Sequence, residues 1–399
     1  MVRTRAPRTH AEVVAAAEEF AALVKPGAAQ RDRAGAVPRA EVAEFDSLGL
    51  PAVTVPIDDG GDGLGPRTLA EVIRIVAAAD PALAQTPQGH YLAVDILRLL
   101  GTPLQRARIL PAVVDGARIG PVLAERGGHH AQDLKTRLSR DGAGWRLEGT
   151  KYYCTGAITS QWLAVSALDP EDRLVLAFVE RDAPGVTIDE DWAAMGQRST
   201  VSGTTTLDGV AVDGDLVLPY WSAFEKPQLL GARAQLVHTA IEAGIAEGAL
   251  ADAAEFVRTR SRPFFEAVRY GAATTASDDP HILLRFGQLA TRTRASTQLL
   301  RWAAGELEDI GLDVTDPDAA ARGSIAVAQA KAFASDVAVD VASQVFALTG
   351  ASGTDRRYDL DRHWRNARTH SVHDPVDWKY HHIGAWELSG VAPPNHGQI

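Results

Sequence analysis

Between Phe346 and Trp378 the chain reads FALTGASGTDRRYDLDRHWRNARTHSVHDPVDW. This is an apolar run broken at Gly350 and Gly353, followed by arginines, aromatic rings and imidazoles in a short span. Guanidinium forks bind anions bidentately and imidazole titrates near neutrality, so the mixture suits a site that holds an anionic, planar ligand and moves protons beside it. His370 and His373 stand three residues apart and His381–His382 follow, which raises the question of a metal. Only Asp374 is at hand to complete a ligand set, and the single cysteine, Cys154, excludes a multi-thiolate site, so no metal is expected.

Four further segments carry groups that can do chemistry. In Gly149-Thr-Lys-Tyr-Tyr-Cys-Thr-Gly-Ala157, strand alternation puts Lys151, Tyr153 and Thr155 on one face. A ring and a hydroxyl so placed can stack on a planar ligand and hydrogen-bond its polar edge. The same pattern fits a strand whose tyrosines pack and whose Thr155 opens a turn, with Cys154 a buried small apolar group on the other face. The stretch Trp192–Thr204 sets Gln197, Arg198 and Ser202 between Gly196 and Gly203, a polar loop able to bind a ring edge or a phosphate, or simply a connector. Arg258, Arg260 and Arg262 end a helical run, where cations gain from the helix dipole and could also clamp a phosphate. His90 stands where another helical run begins and fits a structural role as well as a catalytic one. No G-x-G-x-x-G follows a strand and opens a helix, no Walker-type loop occurs, and the cluster Gly60, Gly61, Gly63, Gly65 lacks a preceding strand. The chain shows no nicotinamide-dinucleotide site of its own.

The elements that must position these groups come in three blocks. Helical spacing runs over His10–Val24, Glu41–Leu48, Thr68–Ala78 and Tyr91–Leu100. Short β-rich runs follow: Arg137–Leu147, Gly149–Thr155, Trp162–Ala167, Leu174–Glu180, Val186–Asp189 and Thr204–Val212. Turn pairs such as Asp141-Gly142 and Pro184-Gly185 punctuate them, predicting a compact antiparallel barrel or sandwich. Three long helices close the chain, Ala232–Thr259, Ile282–Ile310 and Ala319–Leu348. The expected division is a helical unit over 1–115, a β unit over 116–228 and a helical bundle with the imidazole-rich tail over 229–399. Helices, strands, then helices is an α+β order, mainly α, and not the β-α-β alternation of a doubly wound sheet.

Composition sets the outer bounds. The 399 residues are 46% apolar and 23% charged, ordinary for a globular protein. A formal net charge of −11 argues against a nucleic-acid partner. One cysteine fits a reducing compartment, the basic start MVRTRAPRTHAEVV has no apolar core behind it, and no uninterrupted apolar run reaches membrane-spanning length. A cytoplasmic protein with no membrane partner is expected.

The segments 149–157, 195–203 and 362–379 together resemble the acyl-CoA dehydrogenase superfamily, in its branch of flavin-dependent monooxygenases, and the resemblance covers nearly the whole chain. It implies the acyl-CoA dehydrogenase-like fold: helical domain, β domain and long-helix bundle. It implies that Tyr153 and Thr155 line the flavin, that Gln197, Arg198 and Ser202 lie near flavin and substrate, and that His90 faces the site. It also implies that Arg260 reaches the flavin phosphate of a neighbouring subunit. The dehydrogenases follow that arginine with Gln-Phe-Gly; here Ser261-Arg262-Pro263 follows, which favours FMN, held by Arg260 and Arg262, over FAD. Medium-chain dehydrogenases place a catalytic glutamate where Asp374 stands before Pro375, one methylene short of the reach a general base needs. His373 takes its place beside the flavin.

The implied activity is that of a two-component monooxygenase. Reduced FMN from a separate NAD(P)H:flavin reductase meets O2, forms a C4a-hydroperoxide and oxygenates a small organosulfur compound, with His373 as proton donor and Thr155 at flavin N5. An amine N-hydroxylase and an acyl-CoA dehydrogenase are the alternatives. The assembly implied is a homotetramer or homodimer. Pro121 departs from the branch, which tends to have Asn about four residues before the position of Glu125.

Overall fold

The computed structural model describes residues 6–397 apart from 131 and 143. Seven helices open the chain: α1 His10–Val24, α2 Ala28–Ala34, α3 Arg39–Ser47, α4 Pro66–Ala79, α5 Pro81–Gln85, α6 Gln88–Leu100 and α7 Pro103–Val114. Their starts are written in the sequence. Thr9 and Glu12 form a capping box at α1, Thr102 and Gln105 another at α7, and prolines open α4, α5 and α7 where a missing N–H costs nothing.

The middle of the chain forms one mixed sheet of β1 Ile119–Val122, β2 Arg137–Asp141, β3 Gly144–Lys151, β4 Trp162–Leu168, β5 Leu174–Glu180, β6 Val186–Ile188, β7 Thr205–Val212 and β8 Val217–Leu218. Its order is β6-β7-β3-β2-β4-β5-β8, with β1 pairing in parallel with β4. The sheet departs from the expected six antiparallel strands. The run Arg137–Leu147 turns back after Asp141 to give two strands, and the short β1 and β8 have too few residues to show a period.

Six helices complete the molecule: α8 Leu230–Thr259, α9 Phe265–Arg269, α10 Pro280–Ile310, α11 Pro317–Thr349, α12 Asp361–Ser371 and α13 Val376–Ser389. Helix α8 is the spine. It lies so close to α4 that a methyl group at Gly244 or Gly248 would land on the α4 backbone. One hydrophobic core joins α1 and α4 to α8, α10 and α11, so the first and last blocks of the sequence share an interior. A second core seats α6 and α7 on β1, β4 and β5, and a third fills the opposite side of the sheet. Helix α11 is long and apolar enough to cross a membrane by length and composition, but its apolar side chains are buried in the shared core.

Candidate functional site

The site is assembled by two loops, one of them docked on α12. Strand β3 stops at Lys151, earlier than the alternation predicted, and Tyr153 takes a left-handed φ of 59°. Lys151, Tyr153 and Thr155 therefore do not share a face. Lys151 turns into the sheet, where its ammonium donates to Glu125 at 2.8 Å, to Ser166 at 3.0 Å and to the Leu123 carbonyl at 3.1 Å. Tyr153 stays half exposed, its ring edge-on to Trp192 with the Arg126 guanidinium 4.8 Å from its centre. Thr155 is buried, and its hydroxyl lies 2.7 Å from that of Ser202. Cys154 faces the interior as expected, and burial pushes its thiol up to about 11.

The Ser202 hydroxyl also meets that of Thr200 at 2.8 Å, which donates in turn to the Gln197 carbonyl. Two non-glycine residues of this loop, Gln197 and the β-branched Val201, hold φ values of 50° and 44°. Strain of this kind persists only where surrounding contacts over-determine the backbone. Those contacts come from α12. Asn366 Oδ1 accepts the Gln197 N–H at 2.6 Å, and Arg365 donates to the Met195 carbonyl while pairing with Asp32, Asp359 and Asp361. Gly196 lies flat on the Arg365 carbonyl, where no Cβ would fit. The Gln197 amide is buried with neither its oxygen nor its nitrogen partnered. Arg198 is half-buried over Gly35 at the end of α2.

At the far end of α12 the chain turns through His373. This ring is 45% exposed, lies 3.4 Å from Asp374, and is layered on the buried ring of His238 with centres 4.0 Å apart. Asp374 is paired with Lys379 at 2.9 Å. Burial would raise its carboxyl, but His373, Lys331 and Lys379 outweigh burial and hold it well below the usual carboxylate range. Behind His373, His238 Nδ1 lies 3.0 Å from His370 Nε2, and His370 Nδ1 lies 3.0 Å from Glu242. Lys331 and Ser335 donate to the same carboxylate at 2.5 Å and 2.8 Å. Of this group the sequence singled out His370, His373 and Asp374. Glu242 and Lys331 stand as isolated charges in alanine-rich helices, and that was the signal available.

His90 corrects the sequence reading. Its Nε2 lies 2.9 Å from the Pro51 carbonyl and its Nδ1 accepts from the Ile119 N–H at 3.0 Å, so both ring nitrogens are taken by backbone. Burial lowers its pKa to about 4, and the ring serves as a neutral tie between α6, the 50–52 turn and β1. Pro121 packs on Gly89 beside it, and Glu125 is occupied by Lys151 and the backbone N–H groups of Lys135 and Thr136.

Arg260 and Arg262 stand apart from the rest. Arg260 caps α8 and lies 5.0 Å over the Tyr358 ring; Arg262 is exposed. Among the described residues neither makes an ion pair. At 1.5 Å per residue Arg260 is about 33 Å along α8 from His238. Along α8, the arginine pair and the imidazole corner therefore lie well apart.

A helical block, a mixed sheet and a helical bundle around a hydroxyl-lined loop and an imidazole corner define a flavoprotein of the acyl-CoA dehydrogenase class. The N-terminal, middle and C-terminal domain models of acyl-CoA dehydrogenase match residues 7–117, 124–210 and 236–378, and the chain belongs to that family. Its relatives place it in the monooxygenase branch. It is 33% identical to a dibenzothiophene monooxygenase of Rhodococcus erythropolis over 396 residues, covering 95% of this chain and 94% of the relative. It is 31% identical to the probable FMNH2-dependent monooxygenase SfnC of Pseudomonas putida, with 95% of each chain covered. FMN-bound TdsC from Paenibacillus sp. A11-2 superposes with a TM-score of 0.92 at 30% identity, over 97% of this chain and all of TdsC.

Proposed function

We propose that this chain transfers one oxygen atom of O2 to the sulfur of a small organosulfur compound, using reduced FMN. It is a flavin-dependent monooxygenase of the acyl-CoA dehydrogenase fold. The observation that carries the reading is the state of Asp374. The residue at the dehydrogenases' base position is ion-paired with Lys379 and held deprotonated by its neighbours, so it is a poor acceptor for a substrate α-proton. The half-exposed imidazole beside it is the group available for proton transfer.

The residues present fit a flavin. The unpartnered Gln197 amide offers a donor and an acceptor to the polar edge of a ring, and the Thr155–Ser202 hydroxyl pair offers a second such contact. Tyr153 and Trp192 supply aromatic walls, and Arg198 stands half-buried in the same loop without an ion pair among the described residues. FMN supplies, when bound and reduced, the two electrons that send one oxygen atom to sulfur and the other to water. In that cycle His373 gives and takes protons at its ring, and the Thr155 and Ser202 hydroxyls orient the flavin edge. Arg260 and Arg262, exposed and without an ion pair among the described residues, hold the phosphate of a flavin seated in a second copy of the chain, as the family resemblance implies.

The assembly proposed is therefore a homodimer or homotetramer. Exposed Phe264, Phe265, Val268, Tyr270, Leu283 and Leu284 beside the arginines support it, as such patches mark interaction surfaces. Reduced FMN comes from a separate NAD(P)H:flavin reductase. The compartment proposed is the cytoplasm, where a free Cys154 thiol stays reduced.

The test supplies the purified chain with a flavin reductase, NADH, FMN and dibenzothiophene under 18O2. The expected product is a sulfoxide or sulfone carrying 18O, and formation of hydrogen peroxide alone with this and other sulfur compounds sinks the reading. His373→Ala is expected to lower product formation by about a hundredfold or more while leaving FMN affinity within about twofold. Unchanged turnover removes the role given to His373.

A further inference from the structure

Three helices converge behind His373 in a way the flavin chemistry above does not use. From α8 come His238 and Glu242, from α11 Lys331 and Ser335, and from α12 His370; His373 and Asp374 cover the group, with Lys379 of α13 behind Asp374. Apart from His373, Asp374 and Ser335, each of these is a fully or nearly fully buried ionisable group, and Ser335 too is buried. A buried carboxylate, ammonium and imidazole pair is costly to assemble in a core otherwise lined with alanine and valine, and nothing in the packing of α8 on α11 requires it.

The hydrogen bonds determine where the protons sit. Glu242 accepts from Lys331 and Ser335 and is ionised: burial would raise its carboxyl, but the Lys331 charge and the His370 bond overcome it and lower it. A carboxylate can only accept, so His370 carries its proton on Nδ1. Neutral His370 then has a bare Nε2, and the 3.0 Å contact with His238 requires the proton on His238 Nδ1. That leaves His238 Nε2 as a bare acceptor on the ring that underlies His373. Burial foremost, with the charges of Lys331 and Lys379 behind it, keeps His238 neutral.

We propose that Glu242 and His370 are positioning residues that fix His238 as a neutral proton acceptor behind His373, forming a relay that takes a proton out of the site and returns it. In the forward step a hydronium ion in the site breaks one O–H bond, its proton bonds to His238 Nε2, and neutral water is left behind. The His238 Nδ1–H bond breaks as its proton bonds to His370 Nε2. His370 becomes an imidazolium whose Nδ1–H still donates to Glu242, and the charge rests against a carboxylate instead of against His373. No electrons are transferred, and reversal restores both tautomers. The relay serves the proposed monooxygenase reaction and rests on that reading; its proton placement does not.

Two experiments separate the two. Neutron diffraction from crystals of the intact protein exchanged into D2O is expected to show deuterium on His238 Nδ1 and His370 Nδ1 and none on His238 Nε2. Deuterium on His238 Nε2 overturns the relay whatever the protein's activity. In the reductase-coupled assay, Glu242→Gln paired with Lys331→Met leaves no unpaired buried charge. It is expected to lower kcat by about tenfold or more and to change its pH profile, with KM and FMN affinity within about twofold. Adding His238→Gln to that variant is expected to cost little more, because the residues act as one unit. Multiplicative losses, or an unaltered pH profile, show a merely structural role and overturn the proposal. A wild type that forms no oxygenated product refutes the monooxygenase reading and leaves the neutron result to decide the relay.

Discussion

The two ends of α8 differ in what the chain itself supplies to them. Near its start, His238 and Glu242 are buried and met by Lys331, Ser335 and His370 from two other helices. At its finish, Arg258, Arg260 and Arg262 stand in solvent; among the described residues Arg258 pairs only with Glu255 one turn back, and apolar side chains beside them are uncovered. One end is complete within a single chain, whereas the other leaves cations and apolar side chains uncovered. Burial and pairing therefore separate the part of the machinery that folding alone assembles from the part that the proposed assembly would complete.

The contrast is broken most forcefully at the buried end. Lys331→Met removes the ammonium and leaves Glu242 as an uncompensated charge in the core, since both side chains are almost fully buried. The expected loss is about 3–5 kcal/mol of unfolding free energy, read as a lower urea midpoint, and Glu242→Gln with Lys331→Met should recover much of it. A loss below about 1 kcal/mol for the single variant would mean that water reaches the pair and that this end is not an interior one. The same removal of charge at the arginine end should leave the midpoint unchanged.

Burial also makes the interior imidazoles sensitive to pH, and His90 gives the cleanest sign. Its folded pKa, about 4, lies below the ordinary value near 6.5, so the unfolded chain binds the extra proton first as pH falls. Its stabilising contribution is complete above about pH 6.5 and is lost as pH falls toward 4, at up to about 1.4 kcal/mol per pH unit. His90→Gln should cost about 1–3 kcal/mol at pH 7, for the backbone groups of Pro51 and Ile119 left without an ideal partner, and the gap to wild type should narrow steadily below pH 6.5. A gap that stays constant down to pH 4.5 would show that the ring is not held neutral.

How much of this the sequence shows depends on where the partners come from. The 195–203 loop was legible because its hydroxyls, glycines and arginine lie side by side, and α12 because its arginines and histidines are contiguous. His90 was misread because its partners, Pro51 and Ile119, come from 39 and 29 residues away and are backbone atoms that no side-chain pattern reveals. Tyr153 was misplaced because strand periodicity says nothing about where a strand stops. The group of His238, Glu242, Lys331 and His370 is made only by helix packing, so His238, Glu242 and Lys331 each looked like a solitary polar residue on an apolar stripe and nothing tied them to His370.

The smallest effect is expected at the outer end, and it sharpens the comparison most. Arg260→Ala removes an exposed cation whose only contact among the described residues is the Tyr358 ring, so stability should shift by less than about 0.5 kcal/mol. If the arginines of one chain hold the FMN phosphate of another, affinity for FMN should nevertheless fall by about tenfold, and rising salt should erase much of the wild-type advantage. The deciding arm mixes Arg260→Ala with a variant lacking Thr155 and Ser202 hydroxyls, Thr155→Val with Ser202→Ala, and titrates FMN into the mixed assembly. Sharing between copies predicts that each mixed dimer regains one intact site and loses the other; with half of the dimers mixed at equal amounts, about a quarter of the wild-type high-affinity sites return at full occupancy. No recovery on mixing, with the assembly confirmed by light scattering, would place each arginine pair and its flavin on the same chain.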